Sequence, residues 1–395
     1  MAINCELYKK MVLVVFFTRT VSLESWINCG LYDREKLLYE KHLELGNFSK
    51  IYWLTYGSND YFLSKKLKKN KKMHINIEVV GMHRVFNIPI IGSYIYSLLS
   101  PFYHANIFLN SDVLKTQQMD GAWSAIIAKL IYKKPLIIRT GYTQSIFFEN
   151  ANISKLKVQL SRVLEKISYK FCDAAIVSSY QDKQYLIDKY GVPKEKVNVV
   201  HNYVDISIFK PVNLNKYDNR LLFIGRLSDQ KNLFNLIDAV SKTGMVLDVY
   251  GQGELKNELK LFSQKKKVVV NFNRVVRNID LPRIINSYKF YILPSLYEGT
   301  PKTLIEAMAC GLICIGTNVI GTREVINDGL NGYLIDGTDV ESIFLTLNKV
   351  TKLNNESIGK TATDFISKHY SLESHVEKEN NIFIEFINNY KRAHD

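Results

Sequence analysis

The sequence predicts an α/β protein of two domains, each a mainly parallel sheet with helices on both faces. Three observations predict it. At 395 residues the chain is too long for one ordinary core. Short apolar, β-branched runs alternate with longer amphipathic segments from end to end, the rhythm of strand and crossover helix. Near the middle, FKPVNLNKYDN (209–219) breaks that rhythm with polar residues, Pro and Asn, as a linker does.

In the first half the strand candidates are 11–17 (MVLVVFF), 51–56 (IYWLTY), 75–80 (INIEVV), 105–109 (ANIFL), 135–139 (PLIIR), 174–178 (AAIVS) and 197–201 (VNVVH). Helical patterns lie between them. From Arg34 to Leu45 the leucines 37, 38 and 45 fall at helical spacing, and Gly46 is the stop. The second half repeats the pattern with strands at 220–225, 245–250, 267–272, 289–294 and 312–316. The expected domains are therefore two Rossmann-like units at 1–207 and 218–370, joined by a linker at 208–217. A last amphipathic segment, 371–395, holds a helix at about 372–392 that is a candidate to pack across the domain boundary. In open α/β sheets ligands collect outside the carboxyl ends of the strands, so the cleft between two such domains is the expected active site.

Apolar content of 47% and charged content of 23% are those of a globular chain. The net charge of +14 is unevenly shared: residues 1–207 hold 28 basic and 17 acidic residues, the remainder 24 and 21. The first half is the part expected to meet something anionic. Five cysteines, Cys5, Cys29, Cys172, Cys310 and Cys314, are odd in number and lack paired metal spacing. Cys310 and Cys314 read as small apolar residues at a helix end and the next strand, and a reducing, cytoplasmic setting fits best. No secretory signal is evident, and 11–17 is far shorter than the ~20 residues that span a bilayer. Residues 88–109 are long enough, but Pro89, Gly92, Pro101, His104 and Asn106 interrupt them, and they read as a helix running into a buried strand.

The most informative passage is PSLYEGTPKTLIEAMACG, Pro294 to Gly311. A buried strand runs into the loop LYEGTP and then into a helix, with Thr300 as N-cap, Pro301 at the first helical position and Gly311 as the stop. Glu298 then lies on the loop and Glu306 inside the helix, whose free N–H groups favour an anion such as a phosphate. A plain alternative stands beside this: Lys302 and Glu306 as a surface ion pair, with Glu298 solvated.

Glu298 and Glu306, with seven residues between them in EGTPKTLIEAMACG, resemble the signature of retaining glycosyltransferases of family 4, which have the GT-B fold. GRLSDQKNLFNLIDA (225–239), VYGQGEL (249–255), GTREVINDGLNGYLI (321–335) and HNYVDISIFKP (201–211) resemble further segments of that family, in order along the chain. The resemblance implies a glycosyltransferase of surface polysaccharide or glycolipid synthesis that uses a nucleotide-sugar donor. Arg226 and Lys231 would hold the diphosphate, beside Gly225. Glu306 would accept hydrogen bonds from the ribose, and Glu298 would meet the transferred sugar with help from Gly299, Thr300 and Pro301. Gly251 and Gly253 are either a tight turn or the place where base and ribose approach. With no Asp-x-Asp pair in the chain, the expected chemistry is metal-independent, with no cofactor.

Two departures stand in the first half. The Gly-Gly loop that many relatives carry after the first strand is replaced by TRTVSLESWINCGLYDRE (18–35), where Trp26 and Gly30 form an acceptor-side loop or Trp26 is simply packed. Where many relatives have a donor-contacting histidine, this chain offers Tyr142, with Arg139 nearby; both point into the cleft or Arg139 pairs structurally. Asp112, Lys115 and Gln117 are further cleft candidates. Lys65 to Lys72 hold six lysines, either a solvated helix end or a patch for an anionic membrane surface beside a lipid-linked acceptor. That second reading places the protein peripherally on the inner face of the cell membrane. Nucleic acid is not expected, since no recognition motif or interleaved stacking aromatics accompany the lysines. The competing readings are a GT-B nucleotide-sugar epimerase and a catalytically silent sugar-nucleotide-binding subunit.

Overall fold

A computed structural model describes residues 11–141, 143–150, 154–353 and 356–394. The chain forms two compact units: Met1–Val200 together with Val376–Asp395, and His201–His375. Each is an α/β layer structure, as predicted.

The sheet of the first unit holds, among the described residues, β1 (Met11–Phe16), β2 (Phe48–Leu54), β3 (Ile77–Val80), β4 (Val113–Thr116), β5 (Leu136–Thr140), β6 (Ala174–Val177) and β7 (Val197–Val199). Their order is β3-β2-β1-β4-β5-β6-β7, all parallel. The second sheet holds β8 (Tyr217–Ile224), β9 (Val246–Tyr250), β10 (Val270–Asn273), β11 (Tyr288–Leu293), β12 (Ile313–Thr317) and β13 (Tyr333–Ile335), in the order β10-β9-β8-β11-β12-β13 and again parallel. Parallel strands buried on both faces need continuous apolar runs, and β5, β6 and β12 are buried at every residue. In each sheet the winding reverses beside the first strand, between β1 and β4 and between β8 and β11.

Two assignments change. Residues 105–109, expected as a strand, are the short helix Ala105–Leu109, which follows helix Ile91–Tyr103. The strand is β4, VLKT, which the pattern hid because a lysine sits in its middle. Lys115 is fully buried there, and its ammonium donates to both carboxylate oxygens of Glu379 at 2.6 and 2.8 Å. β13, only three residues long, was not among the expected strands. Helix Tyr32–Glu44 matches the 34–45 pattern, and the last helix, Leu372–His394, passes from the second unit into the first. There Ile382, Phe383 and Ile387 join the core under β1 and β2, with Leu13, Val15, Ile51 and Trp53.

Trp26 belongs to the same core, 4.4 Å ring to ring from Phe17 and 5.7 Å from Trp53, so the packed alternative holds for it. Cys310 and Cys314 are buried, and burial pushes the Cys310 thiol up to about 12, in keeping with small packed residues. Cys5 lies outside the described residues. No helix among the described residues is long and apolar enough to cross a membrane.

Candidate active site

In the second unit the loops after β8, β9 and β11 meet at the winding reversal, where open α/β sheets bind ligands. The first two are joined backbone to backbone: Gly225 N–H donates to the Tyr250 carbonyl at 3.1 Å and Leu227 N–H to that of Gln252 at 2.9 Å. This explains the Gly-x-Gly of VYGQGEL. A Cβ on Gly251 would stand 1.9 Å from the Gly225 carbonyl oxygen, and one on Gly253 would stand 2.1 Å from that of Leu227. The tight-turn reading is thus sufficient for both glycines.

The β8 loop next makes the 3-10 turn Asp229–Lys231 and passes through Asn232 in the left-handed region, at φ +54°. The Asn232 amide fixes that turn by donating to the Thr338 carbonyl at 2.7 Å. The β8 and β11 loops are clamped together, with Leu296 N–H on the Gln230 carbonyl and the Gln230 amide on that of Tyr297, each at 2.8 Å. Held this way, the Lys231 ammonium forms an ion pair with the Glu298 carboxylate, which also accepts from Ser295 Oγ at 2.6 Å. Both side chains are largely shielded, Lys231 15% and Glu298 8% exposed, so the attraction is weakly screened. Arg226, one turn of chain away, is exposed and makes no ion pair or hydrogen bond among the described residues.

The helix carrying Glu306 spans Lys302–Ala309, one residue later than expected. Pro301, not Thr300, is its N-cap: the Pro301 carbonyl accepts the first helical bond, from Ile305 N–H at 3.3 Å. A proline cap has no oxygen to offer, so no side chain caps this N-terminus. The Thr300 carbonyl accepts from the Asn202 amide at 2.8 Å, and Gly299 is pressed by Gly321, whose Cβ would lie 1.6 Å from the Gly299 carbonyl. Glu306 is buried and accepts from the Asn278 amide at 3.1 Å. Arg226, Lys231, Glu298 and Glu306 therefore sit on loops and a helix that meet at the carboxyl ends of one sheet.

Residues 61–208 match the family model of Glycosyltransferase Family 4, and residues 205–370 match that of Glycosyl transferases group 1. The chain belongs to the glycosyltransferases. This glycosyltransferase is 27% identical over 305 residues to the UDP-Gal:alpha-D-GlcNAc-diphosphoundecaprenol alpha-1,3-galactosyltransferase of Escherichia coli, covering 70% of this chain and 76% of that one. It is 31% identical over 237 residues to the amylovoran biosynthesis glycosyltransferase AmsD of Erwinia amylovora, at 57% and 63% coverage. Among solved structures it superposes on the sucrose-phosphate synthase of Thermosynechococcus elongatus with a TM-score of 0.76 at 14% identity, over 96% of this chain and 100% of that one. Anabaena Alr3699/HepE, solved with UDP, gives 0.71 at 16% identity, over 95% and 100%. These structural likenesses speak for the fold, and the GT-B class predicted from sequence stands.

The glycosyltransferase treats its first-unit candidates differently. Arg139, in β5, is buried and points its guanidinium at the Gln117 carbonyl, 3.4 Å away, which is the structural alternative left open for it. Tyr142 lies outside the described residues. Asp112, Lys115 and Gln117 are corrected as cleft candidates: Asp112 accepts from Val12 N–H at 2.8 Å, Lys115 is buried on Glu379, and Gln117 is held by Tyr39 and Glu35 at 2.6 and 3.1 Å. Instead, the ends of β1, β2 and β3 frame a cavity of ≈ 580 Å³ lined by Arg19, Tyr56, Met82, Phe86, Ile90 and Tyr94. Arg19 lies 4.1 Å over the Tyr94 ring and 3.5 Å from Asp120. Sequence reasoning missed Ser295, Asn278 and Arg19. Ser295 was legible as the residue just past a buried strand, whereas nothing local marks Asn278.

Proposed function

We propose that this glycosyltransferase moves a sugar, with retention of anomeric configuration, from a nucleotide-sugar donor to a lipid-linked glycan acceptor in surface polysaccharide synthesis. The observation that carries the reading is the shielded Lys231–Glu298 pair beside an uncapped helix N-terminus. A diphosphate approaching that N-terminus has two cations to meet, Lys231 and Arg226, the latter without a partner among the described residues. Its charge competes with Glu298 for Lys231, and a carboxylate released from its lysine is left to accept hydrogen bonds from sugar hydroxyls. Glu306 takes the ribose hydroxyls alongside the Asn278 amide, since the two oxygens of a carboxylate can accept from both.

In the transfer the bond from the sugar's anomeric carbon to the diphosphate breaks, and its electron pair leaves with the phosphate. Arg226, Lys231 and the helix N–H groups offset the charge that grows there, which is where preorganised electrostatics act most strongly. Glu298 faces the positive charge developing on the sugar. The acceptor hydroxyl forms the new bond on the same face and passes its proton to the departing phosphate oxygen. Ser295 fixes Glu298 for hydrogen bonding at the sugar rather than for nucleophilic attack.

The lipid-linked acceptor is supported by the galactosyltransferase relative, whose name gives alpha-D-GlcNAc-diphosphoundecaprenol as acceptor, and by the cavity around Arg19, which joins one cation to an apolar wall. A position at the inner face of the membrane follows from such an acceptor, and the lysine run on helix Asp60–Lys69 and the turn after it adds to the first unit's positive charge. The deciding experiment is slow hydrolysis of UDP-, GDP- and ADP-sugars by the purified protein, with the anomer of the released sugar read by NMR. Release of the donor's own anomer supports the reading. An inverted anomer overturns retention, and no turnover of any donor, with or without acceptor, favours the silent-subunit reading.

A further inference from the structure

Two helices of the first unit wear their polarity inside out. Helix Ile91–Tyr103 buries Gly92, Tyr96, Ser97, Ser100 and Pro101, yet turns Ile91, Tyr94, Leu98, Leu99, Phe102 and Tyr103 outward. Its serines are satisfied on the inside: Ser97 Oγ donates to the Ser93 carbonyl at 2.7 Å and lies 2.6 Å from the Tyr56 hydroxyl. Helix Lys155–Phe171 also turns polar side chains inward, beside Val158 and Tyr169. It buries Ser161, Glu165 and Ser168, and Glu165 accepts from Ser145 N–H and Oγ at 2.9 and 2.7 Å and from the Tyr190 hydroxyl. Outward it shows Leu156, Leu160, Val163 and Ile167, spaced as one stripe along a helix, and Leu156 is 67% exposed.

Between the two runs helix Ala122–Tyr132, which packs against both and leaves Leu130 and Ile131 exposed. The three apolar surfaces thus belong to one layer of helices. Contiguous apolar surface of this kind marks an interaction site, because water alone would favour the opposite orientation.

Charge indicates what covers it. Residues 81–111 contain no Asp or Glu. The acid of helix Lys155–Phe171, Glu165, faces inward, while Lys155, Lys157, Lys166 and Lys170 are exposed around the stripe. A second copy docked on this face about a two-fold axis would set those lysines against themselves. Phosphate headgroups neutralise them, and an apolar stripe rimmed by Lys is the pattern of a helix lying in a membrane interface.

We propose that this three-helix face docks the protein on a bilayer containing anionic phospholipid. Leu98, Phe102, Leu156 and Leu160 enter the boundary between headgroups and acyl chains, and Lys155, Lys157 and Lys166 meet the phosphates. The purpose of docking rests on the lipid-linked acceptor proposed above, but the surface does not depend on the donor chemistry. The Lys65–Lys72 run lies elsewhere, since Leu63 and Leu67 of its helix pack on the Trp53 core at the other face of the sheet. It is therefore no part of the docking seat.

The test is cosedimentation of the full chain with vesicles of phosphatidylcholine alone and of phosphatidylcholine mixed with phosphatidylglycerol. The expected result is binding to the anionic vesicles at least about tenfold tighter than to the neutral ones, weakened by salt. Leu156→Glu with Leu160→Glu, and separately Leu98→Glu with Phe102→Glu, should each weaken it about tenfold or more. Both substitute exposed residues, so the thermal transition and vesicle-free donor hydrolysis should not change. A wild-type chain that stays in the supernatant overturns the proposal, as do glutamate variants that bind like wild type. So does a dimer, seen by light scattering without vesicles, that the same variants split, because then a second copy covers the face. Lys231→Ala, by contrast, should lose donor hydrolysis and keep vesicle binding, so the docking face and the donor site fail independently.

Discussion

Lys231 and Glu298 neutralise each other across the β8 and β11 loops, sixty-seven residues apart in sequence, with Ser295 as the carboxylate's second donor. A pair poised this way is a preassembled cation whose counter-ion is exchangeable. Removing either member should therefore separate binding from turnover.

Lys231→Ala should cut turnover by roughly 10²–10³, the usual loss for one preorganised charge at a developing anion. Glu298 would be left shielded with only Ser295, at a cost of about 1–3 kcal/mol in stability. The double variant Lys231→Ala, Glu298→Gln should regain much of the stability and none of the activity. Chemical denaturation beside a donor-hydrolysis assay checks both parts.

Glu298→Gln keeps the shape of the side chain and removes its charge. Donor affinity in a thermal-shift titration should hold within severalfold while turnover falls about 10²-fold. A loss of affinity with turnover unchanged would place Glu298 in ground-state binding alone. For the wild type, a donor at about 100 times its dissociation constant should stabilise by ~2.7 kcal/mol.

Gly251→Ala forces a methyl onto the Gly225 carbonyl, which is backbone and has little room to retreat. The β8 and β9 loops should part, costing about 1–3 kcal/mol in stability and more than about tenfold in donor affinity. Gly244→Ala is the control, because its Cβ meets nothing within 4 Å and any cost there comes from its φ of +73°.

His104 offers a pH test. Burial pushes its imidazole down to about 4, and its Nε2 lies 3.1 Å from the Tyr96 hydroxyl. A base whose folded pKa is depressed stabilises the fold above its unfolded pKa of about 6.5, and that stability drains as pH falls toward 4. The loss at pH 5 should be about 2 kcal/mol. His104→Gln should flatten the wild-type slope between pH 6.5 and 4 in equilibrium unfolding.

The fold was legible because most strands of both sheets are short apolar runs bounded by turn residues. It failed at β4, where Lys115 interrupts the pattern and its counter-charge, Glu379, lies near the other end of the chain. The second-unit site was legible for a related reason. Glu298 and Glu306 share one strand-loop-helix unit, so local spacing suffices to pair them. Arg139, Asp112 and Gln117 sit at or beside strand ends just as persuasively, yet long-range partners hold them in structural roles. The shift of the N-cap from Thr300 to Pro301 is a one-residue matter of which carbonyl begins the helical ladder, and propensity cannot settle it.

The buried Lys115–Glu379 bond also sets an order of events. Most of the first unit emerges from the ribosome early, but Ile382, Phe383 and Ile387, which complete its core, are made only after the whole second unit. The second unit, His201–His375, is synthesised without interruption. During translation the amino-terminal sheet waits with an uncompensated lysine at its centre while its neighbour can already close. A truncation at residue 375 would consequently damage the half of the protein that is farthest from the cut in sequence.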